Sequence, residues 1–472
     1  MKYKKAKPNH LSKSCIAGLL LLSSTAVSAD DTATTAADDT APDWKNASGL
    51  MEATGYNPNE LSFFKNHNLK LGGWLETSLS GNTNAYHDGF NGPVTFQDRT
   101  GSLQLNQLNF FLQKTVTTSG DSFDWGGRFD FMFGSDSIFT QAYGNPVTNP
   151  HTGLNQPRGD WDLKLTGDRF YGIALPNAYA EFNLPWGTGF DLKVGHFYTP
   201  VGYEVVTAPD NFFVTKPYTF QYGEPFTHTG LLSTYTFNPN WQVNAGAVTG
   251  SGTGGWDGSF NRNMGTWSGL YGVTWTSDDA ADSLFISGTA GKQSDNNNHF
   301  WGDVSLVGKH NFSDKLHFIL QHDHGWANSV ITANGLSSGT IGGLQNADWY
   351  GINGYLLYDV TDKVGVGVRG EWFRDNNGFR INGPGRCGAA VNAAPPYPGG
   401  GGTYNYACGS GYSTYPYAGS SYEEVTIGMT YKPVKWLNLR PNVRWDHSDL
   451  KVFAGGNSQD QVMITGDAVV SF

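Results

Sequence analysis

Charged side chains recur at alternate positions in several short stretches of this sequence. In DWGGRFDFMFG (Asp124–Gly134), Arg128, Asp130 and Met132 alternate with Phe129, Phe131 and Phe133. In KVGVGVRGEWFRD (363–375), Val364, Val366 and Val368 share one face, and Arg369 and Glu371 share the other. In WLNLRPNVRWDHS (436–448), Asn438, Arg440, Asn442, Arg444 and Asp446 alternate with Leu437, Leu439, Val443 and Trp445. Glu181, Asp191 and Lys193 extend the set. A period of two puts such residues on one face of a strand. Arg and Asp together on that face require water or paired charges. Facing rows of cations and carboxylates around water set up a transverse field, which orders water and sorts solutes by charge and size. The same residues also read as ion pairs that stabilise a wall, and both readings stay open at this point.

Other candidate chemistry is weaker. His322 and His324 alternate in HFILQHDHG (317–325). Alternate histidines can ligate a metal, but a wet strand end is the plainer reading. GSGTGG (250–255) matches a dinucleotide glycine pattern, yet no helix follows and no βαβ unit surrounds it. DDAAD (278–282) reads as a soluble turn rather than a calcium loop, and His228 in THTG as an ordinary polar strand residue. No distinctive nucleophile–His–acid motif stands out. No catalytic residue, metal ligand or cofactor is assigned, and the chain is not read as an enzyme.

The elements that must position the charges are dyad-patterned segments of about 10–14 residues, beginning near Leu69. Seven short connections are expected at 117–122, 184–189, 237–241, 276–283, 311–315, 359–363 and 432–436. Mostly longer ones fall at 81–101, 135–174, 200–225, 252–266, 293–298, 326–346, 375–419 and 449–458. Seven turns and eight loops join about 16 strands, in a range of 14–18 because WDLKLTG (161–167) could add one. Trp186, Trp241 and Trp436 sit beside short turns, where half-wet aromatic rings favour a membrane–water interface. The last strand, QVMITGDAVVSF, ends on Phe472 and is expected to close against the first, at 69–80. The fold class is all-β: a transmembrane antiparallel up-and-down β-barrel with short periplasmic turns and long extracellular loops.

The N-terminus sets the compartment. Five lysines, an apolar core (CIAGLLLL, 15–22) and small residues at 27–29 read as a secretory signal peptide over 1–29. Its removal takes five lysines and no acid, leaving 25 basic against 41 acidic residues, a formal charge of −16. That excludes nucleic acid as an expected partner. Residues 30–66 read as an acidic, flexible periplasmic segment with a short helix within 48–66, and 67–472 as the barrel. Cys387 and Cys408 are the two cysteines left, and in an exported chain they read as one loop disulfide. No later apolar run approaches the length of a membrane helix, so a membrane protein here must be a closed barrel. Three functions compete: a passive diffusion channel, a surface adhesin with a plugged lumen, and a barrel enzyme.

LNQLNFFLQKTV with FDWGGRFDFMFGSDS (105–137) resembles the bacterial beta-barrel porin-2, or OmpL-like, family. NAYAEFNLPWGTGFDLKVGHFYTPVGYEVVTAPDNFF (177–213) and PFTHTGLLSTY (225–235) resemble it too. The resemblance covers the chain from about residue 66 and implies a channel in the outer membrane of a Gram-negative bacterium. Its partners would be outer-membrane lipid and small polar solutes or ions. A homotrimer is the common assembly of 16-stranded porins. It also implies that Phe472 serves as an assembly signal, and that the third external loop folds inward. Tyr203, Glu204, Asp210, Phe212, Phe213, Tyr218 and Phe220 would then line a constriction. An outward loop with its aromatics packed on the rim is the other reading. The resemblance does not account for the cysteine-paired loop at 375–419.

Overall fold

A computed structural model describes residues 45–85, 89–140, 147–148, 155–156, 171–249, 267–292, 300–331, 344–381 and 419–472. The expected signal peptide, most of the acidic tail, the 161–167 segment, the 250–255 glycines and both loop cysteines lie outside the described residues.

The strands are β1 (Leu69–Asn82), β2 (Leu103–Lys114), β3 (Asp124–Gly134), β4 (Gly172–Ala174 continued by Ala178–Leu184) and β5 (Phe190–Tyr198). Next come β6 (Thr227–Asn238), β7 (Trp241–Thr249), β8 (Trp267–Thr276), β9 (Asp282–Lys292) and β10 (Phe300–Asn311). The last six are β11 (Leu316–Ile331), β12 (Leu344–Thr361), β13 (Val364–Asp375), β14 (Ser420–Val434), β15 (Leu437–Leu439 continued by Asn442–Ser448) and β16 (Asp460–Ser471). All neighbours pair antiparallel, and β16 pairs with β1 from Trp74 opposite Ser471 to Asn82 opposite Met463. The sheet is a closed barrel of 16 strands. The interruptions in β4 and β15 each contain a proline, Pro176 and Pro441, which has no N–H for the ladder.

Alternation sorts the side chains inside out. On β16, Ile464 is 62% exposed on the outer face while its neighbour Thr465 is buried. Val443 and Trp445 of β15 point outward, and Arg444 and Asp446 point inward. The exposed belt is apolar, and the buried face carries Asn, Gln, Ser, Thr and ionised residues. Such a protein is solvated by lipid outside and by polar groups inside. Exposed Phe123, Trp125, Trp186, Phe237, Trp241 and Phe312 ring the short-turn end. Exposed Trp267, Phe300, Trp372 and Trp445 lie toward the long-loop end. These two girdles mark the lipid interfaces.

The seam between the first and last strands has its own device. Phe472 exchanges two backbone hydrogen bonds with Gly73, both 2.9 Å. A Cβ on Gly73 would stand 2.6 Å from the Phe472 ring, so glycine leaves the ring its seat on the wall, beside Phe110 at 5.1 Å. Among the described residues β1 has no strand partner on that side beyond this point. The Asn59 amide fills the place: its Nδ2 donates to Leu71 O at 2.9 Å, and Leu71 N donates to its Oδ1 at 2.7 Å. One side chain thus imitates the next residue of the missing strand and covers an open edge. Asn59→Ala should lower barrel stability by about 1–3 kcal/mol, the worth of two such bonds, read as a shift in urea unfolding of the protein in liposomes.

Candidate functional site: the interior loop and its arginine anchors

Loop 3 (199–226) turns into the barrel. Val201, Val206, Phe213, Val214, Tyr218, Phe220 and Tyr222 along it are all buried. It fits because the facing wall offers glycines and arginines. A Cβ on Gly367 would stand 2.8 Å from the Phe212 ring, and one on Gly428 would stand 3.0 Å from that of Phe213. The Gly-Val alternation of β13 therefore serves both faces, valine toward lipid and glycine under the loop.

Arginines on β13 and β15 hold the loop backbone. Arg369 donates to Thr215 O at 2.8 Å and to Glu204 at 2.6 Å, and Nε donates to Glu424 at 2.5 Å. Arg440 donates to Ala208 O at 2.6 Å and Asn211 O at 2.8 Å, and it pairs with Asp467 and Glu76. Arg444 donates to Lys216 O and pairs with Asp446 at 2.7 Å. Glu371 accepts from the backbone N–H groups of Tyr218 and Thr219, at 2.5 and 2.6 Å. The Tyr218 hydroxyl donates to Asp446 at 2.8 Å. On the β2 side, Gln107 accepts from Ala208 N at 3.1 Å and donates to Val206 O at 2.7 Å. On the β12 side, the Trp349 indole donates to Gly223 O at 3.1 Å. Loop 1 joins in: Thr95 N donates to Gln221 at 2.5 Å, and the Tyr222 hydroxyl donates to Pro93 O.

The sequence-selected residues therefore fall into two groups. Arg369, Glu371, Arg440, Arg444 and Asp446 face inward but lie buried beneath loop 3 rather than against open water, because a loop full of backbone carbonyls and N–H groups covers them. Asp130 is also buried, in a two-pronged pair with Arg128 at 2.6 and 2.9 Å. Arg128, Glu181 and Lys193 keep partial exposure on β3–β5, whereas Asp191 beside them is nearly covered. Lys193 lies 3.5 Å from Glu181 and over the Tyr179 ring at 5.2 Å. Within loop 3, Glu204, Phe213, Tyr218 and Phe220 are buried as anchors, while Tyr203 and Phe212 are partly exposed and Asp210 is exposed. Desolvation by the surrounding barrel raises the Asp210 carboxyl above its usual range, against a hydrogen bond from Thr207 and the charges of Arg128, Lys216 and Arg440. Burial pushes the Lys216 ammonium down to about 8, against the pull of Glu204 at 3.3 Å. Burial likewise pushes Asp136 of loop 2 up to about 7, although Gln107 and Asn106 donate to it.

Alternation alone missed Gln107, Glu76, Glu424 and Asp467, which complete the anchoring network. The signal was present, since each stands at an inward position of a recognisable strand. Among the described residues no group of His, Cys, Asp and Glu forms a metal site.

The profile of the beta-barrel porin-2, OmpL-like family matches residues 68–472. The chain belongs to that family. This porin also resembles solved outer-membrane barrels in fold. The outer membrane channel DcaP of Acinetobacter baumannii aligns at 11% identity over 86% of this chain and 97% of that one, with a TM-score of 0.49. OprB of Pseudomonas putida, in its high-pH structure, aligns at 11% identity over 87% and 96%, with a TM-score of 0.47. OmpF of Salmonella typhi, in complex with daunomycin, aligns at 11% identity over 86% and 97%, with a TM-score of 0.46. No curated protein matches by sequence. As an outer-membrane porin the chain forms a water-filled channel for passive diffusion of small solutes.

Arg440→Ala leaves Asp467 and Glu76 buried without their cation and frees the loop at Ala208 and Asn211. It should cost about 3–5 kcal/mol of stability and open loop 3 to chymotrypsin at Phe212 or Phe213, detected as a new cleavage in the folded, reconstituted protein.

Proposed function

We propose that loop 3 and the β3–β5 wall form the narrowest part of the channel, a charged gap that sorts small polar solutes and ions by size and sign. The inward fold of loop 3, with Asp210 exposed on it and Arg128 partly exposed on the β3–β5 wall, carries this reading. Arg128 and Lys193 supply positive charge on the wall, and Asp210 supplies negative charge on the loop. Their field runs across the path and holds water in oriented order. A polar solute exchanges that water for side-chain contacts, whereas an apolar solute must displace it without compensation. Tyr203 and Phe212 give the loop side an apolar flank. The barrel wall stays rigid because the other ionised groups are committed to anchoring. The protein acts in the outer membrane of a Gram-negative bacterium, where the apolar belt meets lipid.

Single-channel recording of the refolded protein in a planar bilayer tests the reading. Steady openings are expected in the wild type. Asp210→Asn should move the reversal potential in a salt gradient toward anion preference, and Arg128→Gln toward cation preference. Each change should alter the permeability ratio by about two- to fivefold, as one unit charge some 8 Å from a path in water would. A silent bilayer with folded protein inserted would mean that loop 3 closes the lumen, and the proposal would fall.

A further inference from the structure

We infer that residues 45–66, which precede the region matched to the family, form an interfacial lipid anchor that seals the barrel seam at its periplasmic rim. The segment packs on the closure point from one side. Ala47 and Ala53 are buried, and Gly49 lies so close to the terminus that a Cβ there would stand 3.3 Å from Phe472 Cα. Asn59 pairs with the β1 backbone at Leu71, as described above. The short helix Ser62–Asn66 then leads directly into β1. These contacts tie the segment to the wall where β1 enters the membrane.

Away from these contacts the segment leaves three large apolar side chains uncovered among polar neighbours. Tyr56, Leu61 and Phe63 are 64%, 48% and 60% exposed, among the most exposed large apolar side chains described. Phe63 meets Phe64 edge to face at 5.6 Å and packs on His67 at 4.8 Å, so the aromatic group is held rather than free. Lys65 pairs with Glu60 at 2.5 Å on the same short stretch. An apolar cluster beside a charged pair fits a surface that is half in lipid and half in water. The lipid belt supplies the continuity: at this end of the seam Phe110, Leu112 and Phe472 carry apolar surface out from the wall. Lipid at the headgroup–chain boundary covers both with no new partner required. The occupant assigned is therefore the inner leaflet surface, recognised by its boundary between apolar chains and polar headgroups.

The physical purpose follows from the seam. Among the described residues β1 runs past its last pairing with β16, at Gly73, and an unpaired backbone group at the lipid boundary is costly. Asn59 satisfies that edge only while its segment stays on the rim. Tyr56, Leu61 and Phe63 hold it there.

The test is spin-label accessibility at position 63. Phe63→Cys is placed in the mature chain with Cys387→Ser and Cys408→Ser, labelled, and reconstituted in phosphatidylethanolamine–phosphatidylglycerol liposomes. A label at Leu61→Cys repeats the test should Phe63→Cys fold poorly, and one at Asp279→Cys in an exposed turn gives the aqueous reference. The ratio of oxygen to nickel-complex accessibility at 63 or 61 should exceed the reference several-fold. A ratio equal to the reference would place the cluster in water and overturn the anchor. Dipolar broadening between labels would place a second copy of the chain on the cluster instead, and would overturn it equally.

Discussion

A polypeptide in hydrocarbon cannot leave backbone N–H and C=O groups unpaired, and every other feature of this porin depends on that constraint. It forces the sheet to close, so β16 must find β1 across nearly the full length of the chain. It also makes the end of the closing strand a problem, because the wall is staggered and one edge runs past the other. Here Gly73 seats the terminal ring and the Asn59 amide continues the ladder. The last residue and a residue ahead of the first strand thus act on the same few ångströms of wall.

Closure moves the difficulty inside. Alternation turns every second side chain toward the axis, and on β13–β16 these are arginines and carboxylates that no apolar packing can satisfy. Loop 3 answers with its backbone. Carbonyls of Ala208, Asn211, Thr215 and Lys216 accept from three arginines, and two loop N–H groups donate to Glu371. A buried ion pair is weak evidence for stability in general, because desolvation offsets much of the attraction. Its value here is positional: the guanidinium forks set where the loop lies, and the glycine-lined inner face of β13 and β14 leaves it room. Covered and accessible charges, which alternation could not separate, divide by location. The charges under the loop anchor it, whereas Arg128, Glu181 and Lys193 on β3–β5 keep partial exposure.

The barrel was legible in the sequence because its signals are local. A period of two, short polar turns and aromatic residues beside them each need only neighbouring residues. The strand number, the alternation of turns and loops and the closing role of the last strand all follow from them. The breaks in β4 and β15 were equally local, at Pro176 and Pro441, but a segment that resumes the same face after two or three residues reads as one strand. Inward orientation of Arg369, Arg440 and Arg444 was legible for the same reason. Their burial was not, because it is caused by a loop some 150 or more residues away in the chain.

By itself, then, the sequence determined the fold class, the two faces of every strand and the residues that turn toward the axis, since period two and the demands of lipid act residue by residue. Tertiary structure alone decided which of those residues meet water, where loop 3 crosses the interior, and that Asn59 completes the seam. Each of these depends on distances between segments remote in the chain. Such distances are fixed only when the barrel closes and sets the circumference across which its loops must fit.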